Sequence, residues 1–219
     1  MAYRATAQRE VRLTLGDATV GGFLTIPDGA RGVVLFAHGS GSGRFSTRNQ
    51  YVAGVLQQAQ LGTLLMDLLS AVEEAADART GHLRFDIPFL AERVREATRW
   101  LAAYPDTSAL PVGYFGASTG AAAARRAAAD EREVFAIVSR GGRPDLALEC
   151  LAKVRAPTLL IVGGADVPVI PLNQQAYDAL VCEKELVVIP GASHLFEEPG
   201  ALEAVAHVAT DWFVRHVPS

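Results

Sequence analysis

The chain has 219 residues, enough for one sizeable core, and its 50% hydrophobic and 20% charged residues exclude a disordered or coiled-coil protein. A formal net charge of -4 leaves no basic footprint for nucleic acid or an anionic membrane surface. No run of about 18 apolar residues and no apolar core behind Arg4 and Arg9 is found, so a soluble, unexported, cytoplasmic protein is expected, with a small molecule as partner.

In chain order, "EVRLTL" and "ATVGGFLTIP" favour β-branched residues around "GDA", which predicts an antiparallel hairpin. "GVVLFAHG" is a continuous apolar run ended by glycine, as in a strand buried on both faces; "GTLLMDLL", "PVGYFG", "VFAIVSR", "APTLLIVGG" and "ELVVIPG" repeat the pattern. Between them, "TRNQYVAGVLQQAQ", "FDIPFLAERVREATRWLAAY", the alanine run after Ser118 and "PLNQQAYDAL" have helical spacing, and a last helix covers "LEAVAHVATDWFVRHV". The charged "SAVEEAADARTGHLR" is expected as a solvated loop or short helix at the sheet edge. Alternation of strand and helix predicts an α/β fold: one domain over 1–219, a mostly parallel sheet with helices on both faces. The short segment between "VFAIVSR" and "APTLL" leaves no room for a large cap domain.

Gly116 to Gly120 reads G-x-S-x-G between a buried strand and a helix, the context of a nucleophile elbow. Ser118 is the candidate nucleophile. A serine hydroxyl needs a base, and the base needs an orienting acid. Of the five histidines, His194 lies on the loop after the last strand, at the carboxyl edge that also carries Ser118; His207 and His216 belong to the final helix, His82 to the charged stretch, and His38 shapes its own loop. Asp166, after "LLIVGG", falls on the same edge, with Asp145, Glu197 and Glu198 as fallback acids. The order Ser118, Asp166, His194 is that of the α/β-hydrolases.

The loop "AHGSGSGR" supplies a second oxyanion donor, Ser40 or alternatively Gly41, beside the Thr119 N–H. It lacks the Lys-Ser/Thr ending of a phosphate-binding loop and the G-x-G-x-x-G pattern. Arg44, Arg140 and Arg143 are expected near the carboxyl edge, where they either bind a substrate carboxylate or bridge to Asp67, Asp145 or Asp86. Cys150 and Cys182 have no metal or redox spacing, so no metal and no cofactor is expected.

Together, "HGSGSGR", "GYFGASTGAAAA", "VSRGGRPDLA", "PTLLIVGGADVPVI" and "GASHLFEEPGALEAV" resemble the dienelactone-hydrolase-like group of the α/β-hydrolases, which includes bacterial members fused to phosphoribosyltransferase domains. The resemblance implies a nucleophile at Ser118, an acid at Asp166, a base at His194 and oxyanion donors at Ser40 and Thr119. Dienelactone hydrolases use a cysteine nucleophile; Ser118 stands here, so the resemblance does not extend to dienelactone hydrolysis itself. The expected activity is cleavage of small soluble carboxylic esters through an acyl-enzyme, by a monomer or homodimer. The alternatives are a thioesterase or peptidase with the same residues, or a non-catalytic binding module.

Overall fold

The computed structural model describes residues 7–131 and 133–218; the early Arg4 lies outside them. Strands β1 (Arg9–Leu15) and β2 (Ala18–Thr25) form the expected hairpin, with Leu15 opposite Ala18 and Gly16 at φ 58 in the two-residue turn. The chain continues through β3 (Val33–Ala37), α1 (Thr47–Gln58), β4 (Gly62–Met66), α2 (Ala71–Thr80), a 3-10 turn at Leu83–Phe85 and α3 (Ile87–Ala103). Next come β5 (Val112–Ala117), α4 (Thr119–Asp130), β6 (Ile137–Arg140), a kinked 3-10 segment Pro144–Lys153, β7 (Thr158–Gly163), α5 (Ile170–Ala179), β8 (Lys184–Ile189) and α6 (Ala201–His216).

The eight strands form one sheet in the order β1-β2-β4-β3-β5-β6-β7-β8, antiparallel from β1 to β4 and parallel from β4 to β8. Parallel strands require crossovers, and the helices supply them on both faces. On one face, α3, α4, α5 and the 3-10 segment after β6 cover Leu35, Leu64, Tyr114, Ile137 and Leu160; on the other, α1 and α6 cover Phe36, Leu65, Phe115, Val138 and Ile161. Every residue of β3, β4, β6 and β7 is buried, which is why these strands read as continuous apolar runs.

The charged stretch after β4 forms the helix α2, one of the two outcomes its sequence allowed. A capping box starts it: Ser70 Oγ accepts the Glu73 N–H (3.3 Å) and Glu73 Oε2 accepts the Ser70 N–H (2.7 Å). Gly81 at φ 67 ends it. The connection between β6 and β7 carries only the ten-residue 3-10 segment, so no cap domain covers the carboxyl edge there.

At the end of β5 the backbone is strained: Ser118 has φ 50 and ψ -119, a conformation that costs a non-glycine residue about 1–3 kcal/mol. A glycine there relieves the strain, whereas an alanine keeps it. Ser118→Gly is therefore expected to unfold at a higher denaturant midpoint than Ser118→Ala, by about 1 kcal/mol at equal slope.

Candidate functional site

The elbow holds its shape because nothing larger than glycine fits beside it. A Cβ at Gly116 would strike the backbone of Ala121, and one at Gly120 would strike the carbonyl oxygens of Ala37 and His38. Helix α4 is thereby drawn against β3 and β5, with Ala121 to Ala124 fully buried. Ser118 stands half-buried at the helix N-terminus, its N–H donating to the Arg140 carbonyl (3.1 Å). The Thr119 N–H begins α4 and has no acceptor within the helix.

Asp166 and His194 arrive on the two loops that follow β7 and β8, and the structure brings them together. His194 Nδ1 lies 2.7 Å from Asp166 Oδ2, with the Asp166 side chain 9% exposed. The loops are tied to each other by the Ala165 N–H to the Ala192 carbonyl (2.9 Å) and by the Gly164 N–H to the Ile189 carbonyl (2.8 Å). Gly163 is needed here, since a Cβ would collide with the Ala192 carbonyl. Across the site, a Cβ at Gly141 would lie 3.4 Å from His194 Cε1 and Nδ1. The His194 ring thus rests against Gly141, next to the Arg140 carbonyl that holds Ser118.

The fallback acids have other partners. Asp145 binds Arg143, Glu197 pairs with Arg48 (3.0 Å), and Glu198 accepts the Ser193 N–H (3.0 Å), a bond that also lowers the Glu198 pKa. His207 and His216 lie on α6 and bond to backbone carbonyls of their own helix.

On the β3–α1 loop, one peptide is held from both sides. His38 Nδ1 donates to the Gly39 carbonyl (2.8 Å), and the Ser40 N–H donates to Thr119 Oγ1 (2.9 Å). His38 Nε2 in turn accepts the Leu68 N–H (2.9 Å), so this imidazole is neutral with its proton on Nδ1. Burial holds its pKa below the ordinary 6.5, against the opposing pull of Gly39, Asp67 and Glu74. Gly41 is exposed, at φ 70, with open space around it.

A crystal structure of a dienelactone hydrolase from Anabaena variabilis is 58% identical to this chain, with a TM-score of 0.96 over 98% of this chain and all of that one. The chain belongs to the dienelactone hydrolase family. An esterase from Pyrococcus furiosus shares the fold at 18% identity, with a TM-score of 0.80 over 97% of this chain and 92% of that one. A Mycobacterium tuberculosis protein provisionally named a phosphoribosyl transferase is 57% identical over 209 residues, which is 95% of this chain and 46% of that protein. The chain thus spans about half the length of these curated relatives. No protein-family model matches it.

In this dienelactone hydrolase fold, a cleft of about 470 Å³ opens beside Ser40 and Thr119. Leu68, Leu69 and Leu90 give it an apolar lining, and Arg44, Glu74 and Arg84 stand on its walls. The α2 segment therefore walls the cleft next to Ser40 and Thr119, a role its charges alone did not disclose; the capping box Ser70–Glu73 was the available signal for a fixed helix.

The three candidate arginines differ. Arg44 bonds to Asp67 through its guanidinium and through its N–H (2.8 Å), and reaches Glu10 (3.3 Å). Arg143 forks onto Asp145 at 2.9 and 2.7 Å. Arg140 is buried over the Phe115 ring with Nη1 unbonded, and burial pushes its pKa down to about 10. It points to the α1–α6 face and does not line the cleft. Among the described residues no cluster of three or more His, Cys, Asp or Glu side chains could hold a metal ion, and no helix is long and apolar enough to cross a membrane.

Two measurements test this loop. Thr119→Val removes the acceptor of the Ser40 N–H and is expected to cost about 1 kcal/mol in denaturant unfolding. Burial makes His38 harder to protonate in the fold than in the unfolded chain, which takes up a proton there below about pH 6.5. Stability contributed by His38 is therefore lost as pH falls through that region, and a His38→Gln variant should show a shallower decline in urea midpoint from pH 7 to pH 5.

Proposed function

We propose that the protein is a serine esterase that cleaves small, water-soluble carboxylic esters through an acyl-enzyme. The observation that carries this reading is the Asp166–His194 bond held against Gly141, beside the elbow of Ser118. With Asp166 ionised and His194 Nδ1 carrying the proton, Nε2 is left as a base. It takes the Ser118 proton as Oγ attacks the ester carbonyl carbon. The tetrahedral oxyanion accepts hydrogen bonds from the Thr119 and Ser40 N–H groups; for Ser40, a charged acceptor replaces the neutral Thr119 hydroxyl and binds roughly twice as strongly. Collapse breaks the C–O bond, and imidazolium His194 gives its proton to the leaving oxygen. Water, deprotonated by His194, then attacks the acyl carbon and releases the acid and free Ser118.

The carboxyl edge favours small esters over long-chain lipids, because the β6–β7 connection supplies no cap to form an apolar tunnel. A binding-module reading leaves unexplained why a serine occupies a backbone conformation suited to glycine. The transferase name belongs to relatives about twice as long, and its activity is not needed to account for this site.

Intact mass after fluorophosphonate treatment, with peptide mapping, is expected to show one adduct on Ser118, absent in Ser118→Ala. Asp166→Asn should keep the fold and lower kcat for a short-chain ester by roughly a thousandfold to ten-thousandfold. A folded wild type that takes no label, or an Asp166→Asn variant with unchanged kcat, would remove this reading.

A further inference from the structure

Ser118 itself does not line the cleft, but Ser40 and Thr119, whose N–H groups face the proposed oxyanion position, do, which makes the cleft the neighbouring subsite for one flank of a bound ester. His194, which protonates the leaving oxygen, is on the other side of Ser118 and does not line the cleft. The flank in the cleft is therefore the acyl group.

The charges along the walls restrict what that acyl group can be. Both cleft guanidiniums already hold carboxylates: Arg44 bonds Asp67 and Glu10, and Arg84 donates from Nε to Asp77 Oδ2 (2.5 Å) and from Nη2 to the Asp77 carbonyl (3.1 Å). Asp77 is fixed further by the Leu83 N–H (2.7 Å) and is 1% exposed as a side chain. A substrate carboxylate would meet guanidiniums whose charge is already offset by a bonded carboxylate, which leaves little net attraction. Of the three acids that line the cleft, Asp67, Asp77 and Glu74, only Glu74 has no ion pair or hydrogen bond to its carboxylate among the described residues, so two lining cations face three lining anions. Low-dielectric walls such as Leu68, Leu69 and Leu90 concentrate the resulting field.

We propose that the cleft admits uncharged or cationic acyl groups and rejects anionic ones, with Glu74 as the residue that sets the preference. This rests on the serine-esterase reading above. It reverses the carboxylate-binding role that Arg44 offered from the sequence.

Three nitrophenyl esters of matched chain length test it, with a neutral butyryl, a trimethylammonio-butyryl and a carboxylate-bearing glutaryl group, assayed at low ionic strength and corrected for spontaneous hydrolysis. The expected order of kcat/KM places the cationic ester at or above the neutral one and at least about tenfold above the anionic one. In Glu74→Gln the cationic-to-anionic ratio should fall at least about threefold, and in Glu74→Lys it should fall further. Glu74 is exposed on α2, so neither change threatens the fold. An anionic ester cleaved as well as the neutral one, or a ratio that neither variant moves, overturns the proposal while Ser118 labelling keeps the esterase reading. If no ester is cleaved and Ser118 takes no fluorophosphonate, both fall together.

Discussion

The close approach of α4 to the ends of β3 and β5 is the constraint from which the site follows. Gly116 and Gly120 remove the side chains that would keep the helix away, and Ser118 accepts a left-handed backbone so that the chain can turn from strand to helix within one residue. The consequence is chemical. The turn lifts Ser118 to the sheet edge and aims the first amides of α4 at the same point, where the helix dipole favours negative charge. The alanine run continues the approach, trading the burial energy of large side chains for proximity of the helix axis to the sheet.

That tight packing is paired with costly polar burial nearby. Arg125 is fully buried in α4, with Nη1 on Ser139 Oγ (2.7 Å) and Nε and Nη2 unbonded, and burial pushes its pKa down to about 10. Arg140 sits similarly uncompensated on the opposite face. Two cations held in an apolar interior without carboxylates oppose stability, and they flank the strand end, β6, whose carbonyl holds Ser118. Asn173 secures the same region from α5, donating to the Gly142 carbonyl (3.1 Å). The loops of β5, β6, β7 and β8 thus form one linked platform beneath Ser118, Asp166 and His194.

The opposite side of the site is built differently. There the β3–α1 loop is tied to the residues after β4 by the Leu68 N–H donating to His38 and by the Arg44–Asp67 pair, and to α4 by the Ser40 N–H donating to Thr119. Such contacts are weaker and more adjustable than a glycine-lined backbone contact. The acyl preference proposed above belongs to this polar wall and not to the rigid platform.

The sequence by itself determined the sheet, the helices and the order of Ser118, Asp166 and His194, because doubly covered strands require unbroken apolar runs and the elbow requires small residues at fixed spacing. Those are local demands, readable within a few residues. It also set out the alternatives for Arg44 and Arg143 without deciding between them. Only the tertiary structure decided that both are bonded to carboxylates, that Arg140 is buried away from the cleft, and that α2 walls that cleft. These depend on which distant side chains meet: Arg44 lies 23 residues from Asp67, and Ser40 lies 79 from Thr119. No periodicity or local propensity encodes such encounters, which are fixed only when the sheet sets strand ends side by side.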